Sequence, residues 1–409
     1  MPNIPYRWII VFAGGLLGCL AAGAMFALPV FLTPMTEATG WSRTGISSAM
    51  TIGFLTMAFG GMFWGAASDR FGPRLTVLAG TVILALGLLL AGSAPSLIVF
   101  QAVFGLMVGF GTSAIFAPIM AAVTGWFDTN RGLAVSLVSA GMGMAPMTMS
   151  PLAAWLVGQY GWRESYFVIA IIVAVIMIPC ALLLKRPPAL ENPMPAAASS
   201  AAVAAGPESD MSRAQAMRSF PFIVLAATNF FCCATHSGPI FHTVSYAITC
   251  GIPAMAAVSI YSLEGFAGLF GRLGFGIAGD RLGAKHVLVA GLLIQAIGAL
   301  GYFYAHSLAA FYSVAAVFGF VYSGIMPLYA VLARENFPLR MMGTIIGGTS
   351  MAGGLGMATG PLFGGLIFDH TGDYGWMYIA CFGMGLGACA IAATFRPFPK
   401  EAAPLPQPA

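Results

Sequence analysis

The sequence predicts an all-α integral membrane protein in which twelve transmembrane helices form two pseudo-symmetric six-helix bundles. Hydrophobic residues make up 59% of the 409 residues and charged residues only 7%, whereas a soluble domain carries roughly 25% charged residues. The apolar residues also form uninterrupted runs of the length that crosses a bilayer. In addition, one loop motif occurs twice, at corresponding places in the two halves of the chain.

The first apolar run begins near the N-terminus. No charged residue interrupts the stretch from Trp8 to Phe31, and a span needs about 20 apolar residues to cross a hydrocarbon core of about 30 Å. The run is too long for the apolar core of a signal peptide and further spans follow it, so an uncleaved first helix is predicted. The twelve predicted helices cover residues 8–33, 43–68, 74–93, 96–124, 131–157, 163–186, 219–249, 255–279, 286–305, 307–333, 340–367 and 374–396.

The helices divide into two sets of six. Residues 1–186 are predicted to form the N-terminal bundle and residues 219–396 the C-terminal bundle. The segment 187–218 between them is rich in Ala, Pro and Ser, which is the composition of a flexible linker. At the end of the linker, the stretch from residue 213 to 220 is a candidate for a short amphipathic element before the seventh helix. Residues 397–409 form a tail.

The basic residues predict the orientation of the chain in the membrane. If the N-terminus is cytoplasmic, 14 of the 17 Lys and Arg residues are cytoplasmic as well, Arg43 and Arg163 lie outside, and Arg272 lies within the membrane. This distribution follows the positive-inside rule, so both termini and the linker are expected to be cytoplasmic. The residues expected on the cytoplasmic side are Arg7, Arg70, Arg74, Arg131, Lys185, Arg186, Arg213, Arg218, Arg281, Lys285, Arg334, Arg340, Arg396 and Lys400.

The net charge and the cysteines indicate no nucleic-acid partner and no cofactor. The formal net charge is +4, but the basic residues occur in short loops rather than on one basic face. Seven cysteines lie mostly inside apolar runs, which favours small buried residues over disulfides or metal ligands.

Two pairs of short segments recur at a nearly constant offset. Residues 65–74 read Gly-Ala-Ala-Ser-Asp-Arg-Phe-Gly-Pro-Arg, and residues 276–285, 211 positions later, read Gly-Ile-Ala-Gly-Asp-Arg-Leu-Gly-Ala-Lys. The Gly-Trp pair at 161–162 recurs at 375–376, at an offset of 214. An internal repeat of this kind predicts two bundles around a central path, with a site near the membrane midplane.

The two loops resemble the signature loop of the major facilitator superfamily, and the resemblance covers both halves. It implies a conformational latch made by Asp69, Arg70, Arg74, Asp280 and Arg281 that stabilises one state of a transporter without touching substrate. A physical role fits this position, because an acid can accept hydrogen bonds at a neighbouring helix N-terminus, where the dipole favours negative charge.

Within that superfamily the chain resembles the monocarboxylate porters and oxalate–formate exchangers. The resemblance is carried by Trp41-Ser42-Arg43, by residues 126–134 followed by the Gly-Trp-Arg of 161–163, and most closely by residues 360–374 at the end of the eleventh helix. The Gly-Pro-x-x-Gly-Gly element at 360–365 also occurs in drug antiporters, usually in the fifth helix, so here it does not select efflux. The resemblance implies transport of small organic anions by alternating access.

Arg272 is the candidate substrate anchor. It lies eight residues before Asp280, about 12 Å from that end of the helix, and a charged arginine at this depth is tolerated only when it faces a cavity or a partner. Its guanidinium offers a planar fork to a carboxylate, and it matches the carboxylate-binding arginine in the eighth helix of monocarboxylate porters. The alternative is a structural ion pair with an acid on another helix.

Glu264 is the candidate proton-coupling residue. It lies about 12 Å from Arg272 along the same helix and on another side of it, so it either accepts protons or bonds to another helix. A carboxyl group in a low dielectric takes up a proton more readily than in water. The chain departs from the porters at two places: it has no lysine in the first helix, and Gly268 stands where they carry an aspartate. Their route of proton symport is therefore an open question here.

Other candidates lie in the helices that are expected to flank the path. His236 and His242 in the seventh helix could relay protons or donate to a carboxylate, or each could bond a backbone carbonyl. Asn229 could line the path or bridge helices. Three aromatic residues in the fourth and tenth helices, Phe116, Tyr322 and Tyr329, could contact substrate or only pack, and a tyrosine hydroxyl could hold a carboxylate oxygen.

These features distinguish three classes of function. A secondary transporter of small monocarboxylates or related organic anions, by proton symport or anion exchange, fits a fixed core cation with titratable neighbours. Proton-driven efflux of drugs or lipophilic metabolites is the alternative, and Arg272 argues against cationic cargo. A sensor or scaffold would usually bring an added soluble domain. The sequence contains no P-loop, metal-binding spacing or nucleophile elbow, so we expect no enzymatic activity, no cofactor and no metal, and a monomer in the plasma (inner) membrane.

Overall fold

The computed structural model describes residues 6–127, 131–185, 212–337 and 342–396. The described part is built from helices, which we number α1–α12 by predicted span. Eleven of its helices are long and apolar enough to cross a membrane. The bounds are α1 Tyr6–Phe26 and Leu28–Thr39, α2 Arg43–Phe71, α3 Pro73–Gly92, α4 Leu97–Ala102 continuing through Val103–Val108 to Gly109–Trp126, α5 Arg131–Gly143 and Ala145–Tyr160, α6 Trp162–Leu182, α7 Phe220–Thr249, α8 Ala254–Leu282, α9 Ala284–Tyr304, α10 Leu308–Asn336, α11 Met342–Thr371 and α12 Gly375–Ala393.

The predicted all-α, twelve-helix fold is confirmed, with local breaks that the hydropathy pattern did not show. The fifth span consists of two helices of 13 and 16 residues. Pro146 lies just after the break at Met144 and has no N–H to donate to the preceding turn, which weakens the helix there. The fourth span contains a π-helical segment, Val103–Val108. Most of the predicted linker 187–218 lies outside the described residues, and its described end forms a short helix, Arg213–Arg218, that begins with a capping box between Ser212 and Gln215.

The repeated loop motif folds in the same way in both halves. Gly72 ends α2 and Gly283 ends α8, and both have φ of 87°, a backbone region that glycine enters without steric cost. The Gly72 N–H donates to the Ser68 carbonyl at 2.8 Å, and the Gly283 N–H donates to the Gly279 carbonyl at 2.9 Å. The offset of 211 residues in the sequence is therefore also a repeat of backbone geometry.

The bundle has two opposite faces, which we call the terminal face and the distal face. The terminal face carries Tyr6 and the ends of α4 and α6, since the Tyr6 hydroxyl donates to the Leu183 carbonyl at 2.7 Å and the Trp126 indole donates to the Lys185 carbonyl at 3.1 Å. The distal face is the opposite one, where Arg163 at the start of α6 donates to the carbonyls of Gly92 and Ala94 after α3, both at 3.0 Å. The positive-inside pattern predicts that the terminal face is cytoplasmic.

The two halves meet along α2 and α11. At the distal end, a Cβ on Gly365 would lie 2.7 Å from the Thr44 Cα. About two and four turns further in, the Thr51 hydroxyl donates to the Ala358 carbonyl at 2.8 Å, and a Cβ on Gly354 would lie 3.4 Å from the Ala58 Cβ. The contact residues of α2 thus recur every seven residues, which keeps them on one helix face.

The same two helices separate toward the terminal face. A Cβ built on Gly61 or Gly65 of α2, or on Gly347 of α11, meets no atom within 4 Å. Between α5 and α8, the other pair of helices that joins the halves, the Ser262 hydroxyl donates to the Pro146 carbonyl at 3.2 Å. The structure is therefore closed at the distal face and open between α2 and α11 toward the terminal face.

Candidate functional site

Glycines on α8 and α10 bring the two helices close together beside the candidate site. A Cβ on Gly319 of α10 would clash with the backbone carbonyl of Glu264, and a Cβ on Gly271 of α8 would clash with the backbone carbonyl of Phe320. Only a residue without a Cβ lets two backbones approach this closely. This packing buries the Glu264 side chain, of which 5% is exposed.

Glu264 faces His236 across the interface between α8 and α7. Its Oε1 lies 3.7 Å from His236 Nε2, and this is the one pair of an acidic and a basic side chain within 4 Å among the described residues. The hydroxyl of Tyr302 on α9 also lies near Glu264, although it makes no hydrogen bond by geometry. Glu264 therefore contacts another helix, and its role as a proton acceptor stays a prediction.

The His236 ring is held in a stack of aromatic rings. The ring of Tyr322 lies parallel to it at a centroid distance of 3.4 Å, and the ring of Phe318 stacks at 5.2 Å. His236 is 2% exposed, and its Nδ1 has no hydrogen-bond partner in the described part of the chain. The stack holds the orientation of the imidazole, with Nε2 toward Glu264 at a distance longer than a hydrogen bond.

Arg272 is half-buried at the contact between α8 and α5, where the two halves meet. Its Nη1 donates to the Ser139 carbonyl of α5 at 3.0 Å, and a Cβ on Gly143 would lie 3.7 Å from its Nη2. No described carboxylate lies within 4 Å of the guanidinium, so the structural ion pair that the sequence left open is not found among the described residues. A guanidinium has five N–H donors, and the described acceptors use one of them.

Tyr322 packs against this pair. Its ring covers His236, and its hydroxyl is 3.9 Å from Cys233 Sγ and 3.8 Å from Met357 Sδ. The structure thus brings together three residues that the sequence analysis named separately, the Glu264–His236 pair and Tyr322. Arg272, with donors that the described acceptors do not use, lies about 12 Å along α8 from Glu264.

Other predicted site residues lie elsewhere. Asn229 bridges α7 and α11, because its Nδ2 donates to the Thr349 carbonyl at 2.8 Å. His242 is fully buried between the same helices with Nε2 3.0 Å from the Pro361 carbonyl. Tyr329 is packed in the hydrophobic core of the C-terminal half, while Phe116 is 39% exposed on α4. Asn229 and His242 therefore occupy the helix-bridging and carbonyl-bonded arrangements that the sequence analysis kept as alternatives.

The predicted latch residues lie around the two repeated turns on the terminal face. Arg74, Asp280 and Arg281 are exposed there, and so is Arg70, whose guanidinium lies 5.2 Å from the ring of Phe71. The side chain of Asp69 lies outside the described residues. Their assignment as a latch stays a prediction.

A cluster that the sequence analysis missed joins the halves at the distal face. The guanidinium of Arg43, at the start of α2, donates to the Tyr374 hydroxyl at 2.8 Å and covers the Phe368 ring at 4.0 Å. The Asp369 carboxylate, at the end of α11, accepts from the backbone N–H groups of Arg43 at 3.3 Å and Thr44 at 2.8 Å. The available signal was that Arg43 is one of only two basic residues predicted outside, and that Asp369 follows a long helix that must end on the same side.

A cavity of about 500 Å³ lies away from this chemistry. It is an apolar groove between α2 and α4, lined by residues such as Phe59, Phe63, Leu106 and Phe110. Groups of three or more His, Cys, Asp or Glu placed to hold a metal ion are absent from the part of the chain that the structure describes.

Comparison with protein families identifies the class. The family model of the Major Facilitator Superfamily matches residues 14–347 and, in a second match, residues 259–409. The chain therefore belongs to this superfamily of membrane transporters.

Known relatives include carriers of several kinds. Monocarboxylate transporter 13 of Bos taurus is 25% identical over 100% of this chain and 93% of its own length. Multidrug resistance protein MdtG of Salmonella paratyphi C is 25% identical over 94% of each chain. Among solved structures, a D-xylose-proton symporter superposes with a TM-score of 0.76 at 16% identity, covering 96% of this chain and 98% of that one, which shows a shared fold.

Proposed function

We propose that this transporter moves small monocarboxylates or related organic anions by alternating access, with the anion on Arg272. The observation that carries the proposal is the guanidinium of Arg272. It lies at the interface of the two halves, it uses one of its donors on the Ser139 carbonyl, and no described carboxylate is within 4 Å of it. A planar carboxylate can accept two parallel N–H bonds from such a fork.

The charges around the site favour proton symport over anion exchange as the mode of net transport. With Glu264 ionised and His236 neutral, the empty site is neutral because Glu264 balances Arg272. With an anion on Arg272, the site is neutral only when the Glu264–His236 pair has taken up one proton. Because an unbalanced charge is costly inside the membrane, the empty carrier and the carrier loaded with both anion and proton are the forms that change conformation readily.

The similarity to the monocarboxylate transporter supports this substrate class, and the similarity to the multidrug resistance protein supports efflux as the alternative. We further propose a plasma (inner) membrane location with the terminal face in the cytoplasm, following the basic residues. The proposed partners are the anion, protons and the lipid bilayer, with the chain working as a monomer.

The test is counterflow of radiolabelled lactate, pyruvate, acetate, formate and oxalate in proteoliposomes. Arg272→Lys keeps the charge and removes the fork, and Arg272→Ala removes both. Arg163→Lys is the matched control, because the described contacts of Arg163 at the distal face, two backbone carbonyls and the Trp162 ring, all lie in its own half. We expect wild type and Arg163→Lys to move at least one carboxylate and both Arg272 variants to lose at least 10-fold in rate, which corresponds to about 1.4 kcal/mol for a lost charge-assisted bond.

Two outcomes would overturn the proposal. If wild type moves none of the five carboxylates, the substrate class is wrong and efflux of lipophilic compounds becomes the leading hypothesis. If folded Arg272→Ala transports a carboxylate as well as wild type, Arg272 is not the anchor.

A further inference from the structure

The start of α2 is capped by a residue from the other half of the molecule. The first N–H groups of a helix have no partner within the helix. Here the Gly45 N–H donates to the Ser42 hydroxyl at 3.0 Å, whereas the N–H groups of Arg43 and Thr44 donate to Asp369 of α11. Part of the N-terminal cap of α2 therefore exists only while the distal ends of α2 and α11 are in contact.

A second set of contacts strengthens the same junction. The side chain of Arg43 is 8% exposed although it lies at the distal face, because it reaches across to the Tyr374 hydroxyl and the Phe368 ring. Arg43 thus contributes a charged hydrogen bond and a cation–π contact to residues of the other half. Its guanidinium lies farther than 4 Å from any described carboxylate, so the junction is not a simple ion pair.

The backbones also touch at this point. The Cβ of any residue at Gly365 would lie 2.7 Å from the Thr44 Cα and 2.9 Å from the Thr44 nitrogen. Contact with backbone atoms cannot be relieved by turning a side chain. Closure of the distal face in this form therefore requires glycine at this position.

We propose that Asp369 and Arg43, seated against Gly365, form the distal gate of this transporter. The gate is intact in the present structure, which is open toward the terminal face. Substrate can enter or leave at the distal face only after Asp369 releases the N-terminus of α2 and Arg43 leaves Tyr374. Asp369 and Arg43 are positioning residues for the conformational change, because they touch the opposite half rather than the site around Arg272.

The arrangement also relates the two faces of the molecule. Helices α2 and α11 run antiparallel, and each carries an aspartate in its last turn, Asp69 at the terminal face and Asp369 at the distal face. The sequence predicts that Asp69 caps a neighbouring helix at the terminal face. Asp369 would then cap α2 in the state that is closed at the distal face, as Asp69 caps a helix in the state that is closed at the terminal face.

The experiment measures the opening of the distal face without any substrate. Spin labels are attached at Ser93→Cys in the N-terminal half and His306→Cys in the C-terminal half, in a background with the seven native cysteines replaced. Both sites are exposed at the distal face. Double electron–electron resonance then gives the distribution of distances between the halves for Asp369→Ala, Tyr374→Phe, the double variant and Gly365→Ala.

Asp373→Asn is the matched control. Asp373 lies in the loop that follows α11, four residues after Asp369, and its carboxylate accepts from the Gly375 N–H of its own half at 2.9 Å. The control therefore removes the same charge near the gate without removing a contact between the halves. The melting temperature of each variant is measured to separate gating from unfolding.

We expect a longer-distance population to appear in the gate variants. Loss of a helix cap shifts an equilibrium by about fivefold, and loss of both bonds in the double variant by about 30-fold. Gly365→Ala should move the distribution in the same direction, and Asp373→Asn should leave it unchanged. Unchanged distances in Asp369→Ala and Gly365→Ala, or an equal shift in Asp373→Asn, would overturn the gate. Because no substrate is present, this result is independent of whether Arg272 binds a carboxylate.

Discussion

Replacement of Glu264 by glutamine tests how anion and proton movement are coupled. Glutamine has nearly the same shape as the carboxyl it replaces and can still contact His236, which lies 3.7 Å from Glu264. The side chain is then permanently neutral, as we propose that it is in the loaded carrier. The loaded site keeps the charge balance of the anion with Arg272, but the empty site keeps an unbalanced positive charge.

The size of the effect follows from the position of the two residues on α8. Eight residues separate Glu264 from Arg272, which corresponds to about 12 Å along the helix axis. At an effective dielectric constant of about 20, the attraction between these two charges is about 1.4 kcal/mol. Because both residues lie on one helix, this attraction matters for the conformational change only as far as it strengthens when the site is occluded from water. There it offsets part of the cost of burying the Arg272 charge, so we expect its loss to slow the return of the empty carrier on the order of 10-fold.

Two assays on the same proteoliposomes separate the two limbs of the cycle. Counterflow from preloaded vesicles needs only the loaded carrier, so Glu264→Gln should keep it within about twofold of wild type. Net uptake driven by an imposed proton gradient also needs the return of the empty carrier, so it should fall at least 10-fold. The control is Glu164→Gln, because Glu164 lies in the first turn of α6 at the distal face.

Either of two results would refute this reasoning. Equal loss of counterflow and net uptake in a folded Glu264→Gln protein would show that the carboxylate is needed for binding or for the structure. Retention of both activities, with the pH dependence of wild type, would place the coupled proton somewhere other than on the Glu264–His236 pair.

Two further predictions use matched pairs of residues. Gly271→Ala should lower the free energy of unfolding by about 3 kcal/mol, because its Cβ would meet the Phe320 carbonyl. Gly276→Ala should leave that free energy unchanged or raise it by up to about 1 kcal/mol, because its Cβ meets no atom within 4 Å. Thermal unfolding in detergent measures both variants, and equal losses would contradict the close helix contact. His236→Gln should alter the pH profile of net uptake. His242→Gln should leave that profile unchanged, because His242 bonds a backbone carbonyl. A shifted profile in His242→Gln would show that His242 also belongs to the proton path.

Much of the architecture could be predicted because it depends on properties that the residues carry locally. The charge-free run from Trp8 to Phe31 predicts a span wherever it lies in the fold, and α1 covers it. The repeated Gly-x-x-x-Asp-Arg-x-Gly motif predicts corresponding loops in the two halves, and its last glycines, Gly72 and Gly283, adopt the same φ. The break in α5 was missed because a proline after two glycines changes backbone hydrogen bonding without changing hydropathy.

The candidate site was predictable only in part. Arg272 was identifiable from its depth in a predicted helix, since a charge in a span is rare and costly. The sequence could not show that Arg272 lacks a carboxylate partner among the described residues, because its partners depend on which helices surround α8. The same limit applied to His236 and His242, which look alike in the sequence although one faces Glu264 and the other a backbone carbonyl.

The sequence by itself determined the membrane-spanning class, the two repeated halves, the expected orientation and the presence of a charge near the midplane. These features follow from hydrophobicity, length and charge, which are read along the chain. Only the tertiary structure decided that Glu264 pairs with His236, that the Tyr322 ring covers His236, and that Asp369 caps α2. Each of these contacts joins residues that lie between 28 and 326 positions apart, and their distances are fixed by how helices pack rather than by local sequence.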